Sequence, residues 1–94
     1  MLIIAGHLVL DSADRYAYLD LIHDVTRQAR ATEGCLDFVQ SADPLDPTRV
    51  NIFERWSAEE AMIAFRELDQ SEVQLPPIVD ADVKRYVIAS VEAP

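Results

Sequence analysis

The chain has 94 residues, which fits one domain over residues 1–94 and is too short for two hydrophobic cores. Its 17 acidic residues outnumber 8 Lys and Arg, and the net charge of −9 disfavours nucleic acid and anionic lipid as partners. One cysteine excludes an intrachain disulfide, and no apolar run is long enough to span a membrane, so we expect a cytoplasmic protein.

The first predicted element is a strand over residues 2–10, where apolar residues run up to Asp11. Both alternating faces of this strand are apolar, which requires cover on both sides of the sheet. A helix follows, with Asp11 or Ser12 as its expected cap, Asp14 in its first turn and Gly34 at its end. Helical spacing selects its inward positions as Tyr16, Leu19, Ile22, Thr26 and Ala29.

The second half of the chain begins with a predicted hairpin. Its strands are residues 35–41 and 49–56, joined by a turn that contains two prolines and two aspartates. Glu54 lies inside the second of these strands, where we expect it to pair with an arginine, for which Arg85 is one candidate.

A second helix is predicted after the hairpin, because Ser57 and Glu60 have the spacing of a capping box. This helix is expected to fade near residues 69–71, and residues 82–91 form the predicted fourth strand. The order βαββαβ indicates an α+β, ferredoxin-like domain with an antiparallel sheet and both helices on one face. The second sheet face then lacks cover within one chain, so we expect a homodimer that packs sheet to sheet.

Three short motifs occur in a characteristic order: Glu33-Gly34-Cys35 after the first helix, Glu54-Arg55-Trp56 at the end of the third strand, and Glu60-Ala61 at the second helix. Together they resemble the antibiotic biosynthesis monooxygenase family of the dimeric α+β barrel superfamily. The resemblance spans nearly the whole chain. It implies a sheet-mediated dimer and a pocket between helices and sheet.

One departure from this family pattern concerns the second helix. Many members have a histidine nine residues after the tryptophan, where this chain has Phe65. Haem ligation, as in the haem-degrading relatives, is therefore not expected. The cofactor-free members oxidise phenolic compounds with molecular oxygen, and we expect that type of chemistry here, with no cofactor and no metal.

Three residues are the candidate catalytic groups. Trp56 either stacks on a planar substrate and donates its indole N–H, or packs in the core. Asn51 either bonds a substrate oxygen, or faces water or a bulge. His7 either takes a phenol proton, or is a core or interface histidine. Strict alternation puts Asn51 and Trp56 on opposite faces, so they share a pocket only if a bulge intervenes.

Other candidates have supporting roles. The proposed substrate-binding residues are Phe65, Phe53 and Tyr86. His23 is interpreted as a surface residue, and Cys35 as a small buried residue. His7, His23 and Cys35 do not have metal-ligand spacing.

Three functions follow as hypotheses. The first is a cofactor-independent monooxygenase that acts on a small aromatic phenol, anthrone or hydroquinone. The second is a non-catalytic domain that binds a small molecule, and the third is an isomerase or cyclase of a polyketide-type substrate. Oxygen consumption separates the first hypothesis from the other two.

Overall fold

The computed structural model describes residues 1–68 and 74–94, and its element order is the expected βαββαβ. The four strands form one antiparallel sheet in the order β2-β3-β1-β4, which is not closed into a barrel within the chain. The predicted ferredoxin-like α+β fold is therefore confirmed. The elements are β1 (Leu2–Leu10), α1 (Arg15–Arg30), β2 (Cys35–Ala42), β3 (Arg49–Trp56), α2 (Glu59–Arg66) and β4 (Ile78–Val87).

The core lies between the two helices and one face of the sheet, which we call the helix-facing side. One buried cluster joins the ends of β1 and β3 to α2, and the other joins the opposite ends to α1. Apolar burial of this kind supplies roughly 25 cal/mol for each Å² removed from water, and it explains why the amphipathic helices dock here. The buried residues of the first cluster are Leu2, Ile4, Ala29, Phe38, Trp56, Met62 and Phe65.

The other side of the sheet, which we call the open face, has no covering element among the described residues. Ile3, Ala5 and Val9 of β1 lie there and are half-buried, whereas the alternate residues of β1 contribute to the core. The predicted two apolar faces of β1 are confirmed. The cover expected for the second face is not supplied by the described part of the chain.

The starts of both helices differ from the sequence-based expectation. Neither Asp11 nor Ser12 caps α1, because the helix begins at Arg15 and Asp14 is its N-cap residue, without a side-chain hydrogen bond. Asp11 instead accepts the backbone N–H of Ala13 in a local turn. The Ser57 capping box is also wrong, since α2 begins one residue beyond Ala58 and no side-chain cap forms.

Two further boundaries were misplaced. Helix α1 ends at Arg30, with Ala31 as its C-cap, and Gly34 lies in the following turn with a positive φ of 92°. Strand β4 begins at Ile78 and ends at Val87, four residues earlier than predicted at each end. The inward face of α1 includes Ile22 and Ala29 as expected, but Tyr16 is exposed and Tyr18 is buried instead. The predicted fading of α2 near residues 69–71 lies outside the described residues.

A close backbone approach joins β1 to β4 at Gly6. This glycine has a φ of 152°, and a Cβ atom at this position would lie 1.9 Å from the carbonyl oxygen of Asp82. Any side chain at residue 6 would therefore push the two strands apart.

Candidate functional site

Trp56 lies at the centre of the core. Its side chain is 0% exposed, and its ring packs against the ring of Phe65 with the centroids 5.6 Å apart. Phe65 in turn makes an edge-to-face contact with Phe38 at 5.8 Å. This aromatic cluster occupies the helix-facing side, where helix α2 covers the end of β3.

The indole N–H of Trp56 already has an acceptor. It donates to Oε1 of Glu54 at 3.0 Å, and Glu54 itself is only 8% exposed. The expected pair between Glu54 and Arg85 is not formed, because Arg85 donates from Nη1 to Oε1 of Glu59 at 2.8 Å. In this arrangement Trp56 has no free N–H for a substrate.

His7 and Asn51 lie together on the open face, away from Trp56. They are directly opposed in the antiparallel pairing of β1 and β3. That pairing has no bulge between Asn51 and Trp56, so the alternation of side chains keeps these two residues on opposite sides of the sheet. The structure therefore does not bring the three candidate catalytic residues into one pocket.

The aromatic candidates are divided in the same way. Phe53 and Tyr86 lie on the open face and are 39% and 49% exposed, whereas Phe65 is buried beside Trp56. Phe53 is opposed by Ala5, and Tyr86 by Ile3. The three aromatic residues therefore lie on two different sides of the sheet.

The amide of Asn51 organises the hairpin loop. Its nitrogen donates to Oδ1 of Asp43 at 2.8 Å, and its oxygen accepts from Nε of Arg49 at 2.7 Å. The hydrogen bond from the Asn51 side chain lowers the pKa of Asp43 to about 2, together with two hydrogen bonds from the backbone N–H groups of Asp46 and Leu45. The amide thus has a structural role in the hairpin.

A cavity of about 230 Å³ opens on the helix-facing side between α2 and β4. Ile4 and Val83 supply its apolar floor, and Arg66 and Arg85 bring positive charge to it from two different elements; Lys84 also lines it. Ile4 is opposed by Arg85 on β4, and it belongs to the core cluster that contains Trp56. The cavity therefore combines two apolar lining residues with guanidinium groups in a mostly polar surface.

Sequence reasoning missed this cavity. Arg85 was considered only as an ion-pair partner, and Arg66 was given no role. The pairing of β4 with β1 places Arg85 beside Ile4 on the helix-facing side, and this register is what would have pointed to the cavity. The sequence alone does not give that register, because the predicted fourth strand was displaced by four residues.

The surroundings of His23 and Cys35 do not favour a catalytic role for either residue. His23 is exposed on α1, as predicted, and its Nε2 lies 3.1 Å from Nη2 of Arg27. Cys35 is half-buried and not fully buried as predicted. Its burial raises the pKa of the thiol, and the nearby charges of Glu54 and Asp37 raise it further. This thiol is therefore poorly suited to act as a nucleophile.

Over residues 1–68 and 74–94, no three His, Cys, Asp or Glu side chains are placed to hold a metal ion together. In the same ranges, neither helix has the length and apolar character that are needed to cross a membrane.

Comparison with known proteins identifies a family. The family model described as "Antibiotic biosynthesis monooxygenase" matches residues 1–73. No curated protein matches the chain.

Solved structures give the same fold. A candidate antibiotic biosynthesis monooxygenase from Deinococcus radiodurans is 20% identical, with a TM-score of 0.82 over 100% of this chain and 98% of that one. One from Chloroflexus aurantiacus is 23% identical, with a TM-score of 0.72 and coverage of 98% and 96%. One from Nitrosomonas europaea is 13% identical, with a TM-score of 0.79 and coverage of 96% and 100%.

The contact between Glu54 and Trp56 can be measured with a double-mutant cycle. Glu54→Leu leaves a buried indole N–H unpaired, and Trp56→Phe leaves a buried carboxylate without that donor. The double variant should lose less free energy of unfolding than the two single variants lose together. The difference is the coupling free energy, which we expect to be about 1–3 kcal/mol. Urea unfolding followed by far-UV circular dichroism gives this value.

The control for this cycle is the pair Asp82 and Lys84, which has the same two-residue spacing along a strand but is exposed. Its coupling should be much smaller, because solvent screens the charges. Equal coupling in the two cycles would contradict a special role for the buried pair.

The structural role of Asn51 predicts a change in the titration of Asp43. Because the amide of Asn51 is the largest cause of its low pKa, Asn51→Ala should raise the pKa of Asp43 from about 2 toward its ordinary value of 3.8. The depressed pKa stabilises the fold above pH 3.8, and this contribution is lost as the pH falls toward 2, so the variant should lose less stability over that range.

NMR titration of the Asp43 carboxyl carbon measures this shift. Arg55→Gln is the control, because Arg55 is an arginine of the same strand as Asn51 but pairs with Asp37, so its removal should leave the pKa of Asp43 unchanged. An unchanged Asp43 titration in Asn51→Ala would show that the amide does not hold the carboxylate.

Proposed function

The chain belongs to the antibiotic biosynthesis monooxygenase family, and we propose that it is a cofactor-independent monooxygenase. Its substrate is a small aromatic phenol, anthrone or hydroquinone, which it oxidises with molecular oxygen. The reaction takes place in the cavity between α2 and β4. The observation that carries this proposal is the combination of an apolar floor with guanidinium groups in one cavity.

The oxidation requires little from the protein beyond binding and orienting the substrate. A phenol becomes electron-rich when it is deprotonated, and the phenolate then transfers an electron to oxygen. For an anthrone, the ring CH₂ and one O₂ give a C=O and one H₂O, so the substrate loses the four electrons that the oxygen gains. The protein must hold the ring away from water and favour the anion.

The lining of the cavity supports the proposal on both points. Ile4 and Val83 are the apolar lining residues, and an aromatic ring in contact with them loses part of its contact with water. The positive charges of Arg66 and Arg85 favour the deprotonated form of a bound phenol, because an opposite charge lowers its pKa. None of the described lining residues is an aspartate, glutamate or histidine, so the lining favours charge stabilisation over the proton shuttle of an isomerase.

The aromatic core supports this site from behind. Trp56 and Phe65 belong to the same buried cluster as Ile4, and Phe65 precedes Arg66 in α2. In this proposal they position the cavity floor and the arginine. Trp56 acts through packing, and its N–H remains with Glu54.

The open face has a different proposed role, which is to form a homodimer through the sheet. His7, Asn51, Phe53 and Tyr86 lie on this face, together with half-buried aliphatic side chains of β1. A second copy of the chain would cover this apolar surface with an identical one, in an isologous contact. The interpretation of His7 as an interface histidine follows from this placement.

Oxygen uptake tests the monooxygenase proposal. Metal-free protein should give saturable uptake with hydroquinones or anthrones above the spontaneous rate, and Arg85→Gln should lower kcat/KM at least about tenfold because a charge interaction is lost. Trp56→Phe and Asn51→Ala should have smaller effects, since neither side chain lines the cavity.

Arg27→Gln is the control, because Arg27 is an exposed arginine on α1. The absence of saturable uptake across the panel, combined with binding of an aromatic ligand, would favour a non-catalytic binding domain.

Sedimentation equilibrium tests the dimer. The wild-type chain should be dimeric at micromolar concentration, and Phe53→Glu should shift it toward monomer by placing a charge in the contact. Leu21→Glu is the matched control, because Leu21 is 41% exposed and Phe53 is 39% exposed, but Leu21 lies on α1. A stable wild-type monomer would disprove the sheet-mediated dimer.

A further inference from the structure

Two guanidinium groups reach the same cavity from separate elements. Arg66 is the last residue of α2, and Arg85 lies two residues before the end of β4. Basic residues are the minority among the charged side chains of this chain, which has 8 Lys and Arg against 17 acidic residues. A cavity with two of them is therefore an exception to the charge of the surrounding surface.

The third cationic lining residue, Lys84, does not add its charge to this cavity. It is opposed by Ala5, so its side chain lies on the open face, where Nζ donates to Asp82. The positive charge at the cavity is therefore that of Arg66 and Arg85, and it has the planar geometry that matches a carboxylate.

Arg85 is only partly engaged. Its Nη1 donates to Glu59 at 2.8 Å, and within the described ranges its guanidinium has no other hydrogen bond. A guanidinium has five N–H donors, so the Glu59 contact leaves donors available to a second acceptor. The pair with Glu59 also holds the side chain over the helix-facing side, between β4 and α2.

We propose that the substrate of this cavity is an aromatic acid: a hydroxylated ring that carries a carboxylate. This inference rests on the proposed phenol oxidation, and it adds that one guanidinium faces the ring oxygen while the other binds the carboxylate. The ring lies on Ile4 and Val83. A neutral phenol uses the apolar floor but leaves one guanidinium without a partner, so it binds more weakly.

A binding experiment with non-oxidisable probes separates this inference from catalysis. The probes are 2-naphthoate and 2-naphthamide, which have nearly the same size and differ in charge, and the measurement is calorimetric titration of metal-free protein at pH 7. We expect the carboxylate to bind roughly tenfold more tightly than the amide, the factor expected for one charge-assisted hydrogen-bonded pair.

The arginine variants and the Glu59 variant should change naphthoate binding in opposite directions. Arg66→Gln and Arg85→Gln should each abolish most of the preference for naphthoate, and Arg85→Lys should retain part of it because the charge remains but the planar fork is lost. Glu59→Gln should strengthen naphthoate binding, since it removes the carboxylate that competes for Arg85. Arg27→Gln on α1 should change nothing.

Equal binding of the two probes to the wild type, or a preference for naphthoate that persists in both arginine variants, would overturn the inference. The oxidation itself is measured separately, as oxygen uptake with 2,5-dihydroxybenzoate and with hydroquinone. A carboxylate preference in binding without uptake from either compound would reject the monooxygenase proposal and retain the ligand class. Equal uptake from both compounds without a binding preference would retain the monooxygenase proposal and reject the ligand class.

Discussion

The unbroken antiparallel pairing of β1 with β3 determines where the three candidate catalytic side chains lie. It runs from Leu2 opposite Trp56 to Val9 opposite Arg49 without a bulge. Because side chains alternate strictly along such a ladder, a residue cannot change sides without a one-residue shift that would expose the core. The buried aromatic residues, the cavity floor and the helices are therefore on one side, and His7 and Asn51 are on the other.

The spacing Glu54-x-Trp56 gains a physical meaning from the same alternation. Two residues that are two positions apart in a strand share a face, so the carboxylate and the indole N–H meet without help from another element. A buried carboxylate is costly unless it accepts hydrogen bonds, and here the donor is built into its own strand. The polar pair fixes the orientation of the tryptophan ring, and the packing of Phe65 follows from that orientation.

The sequence alone is sufficient to locate a strand where the residue pattern has clear ends. Strands β1 and β3 have the predicted bounds, because the apolar run of β1 stops at Asp11 and the turn of residues 43–47 precedes β3. Every residue of β4 is exposed, so burial leaves no alternation from which to locate its ends. The helix caps were missed because other hydrogen bonds use the same groups. Asp11 accepts the N–H of Ala13 in a local turn, and the N–H of Ser57 donates to the carbonyl of Gly34, which is distant in the sequence. The site itself depends on Arg66 and Arg85, which only the tertiary fold brings together.

The exposure of β4 links ligand binding to the local opening of the sheet. This strand has β1 as its one neighbour among the described residues, and at Gly6 the two backbones approach too closely for a side chain between them. A strand held from one side, with little apolar burial, opens at a lower free energy than the core strands, and its amide hydrogens exchange sooner with solvent. Val83 and Arg85 form part of the cavity only while β4 is paired. A ligand that bridges β4 and α2 therefore stabilises the paired state, and its measured affinity includes the free energy of holding that edge closed.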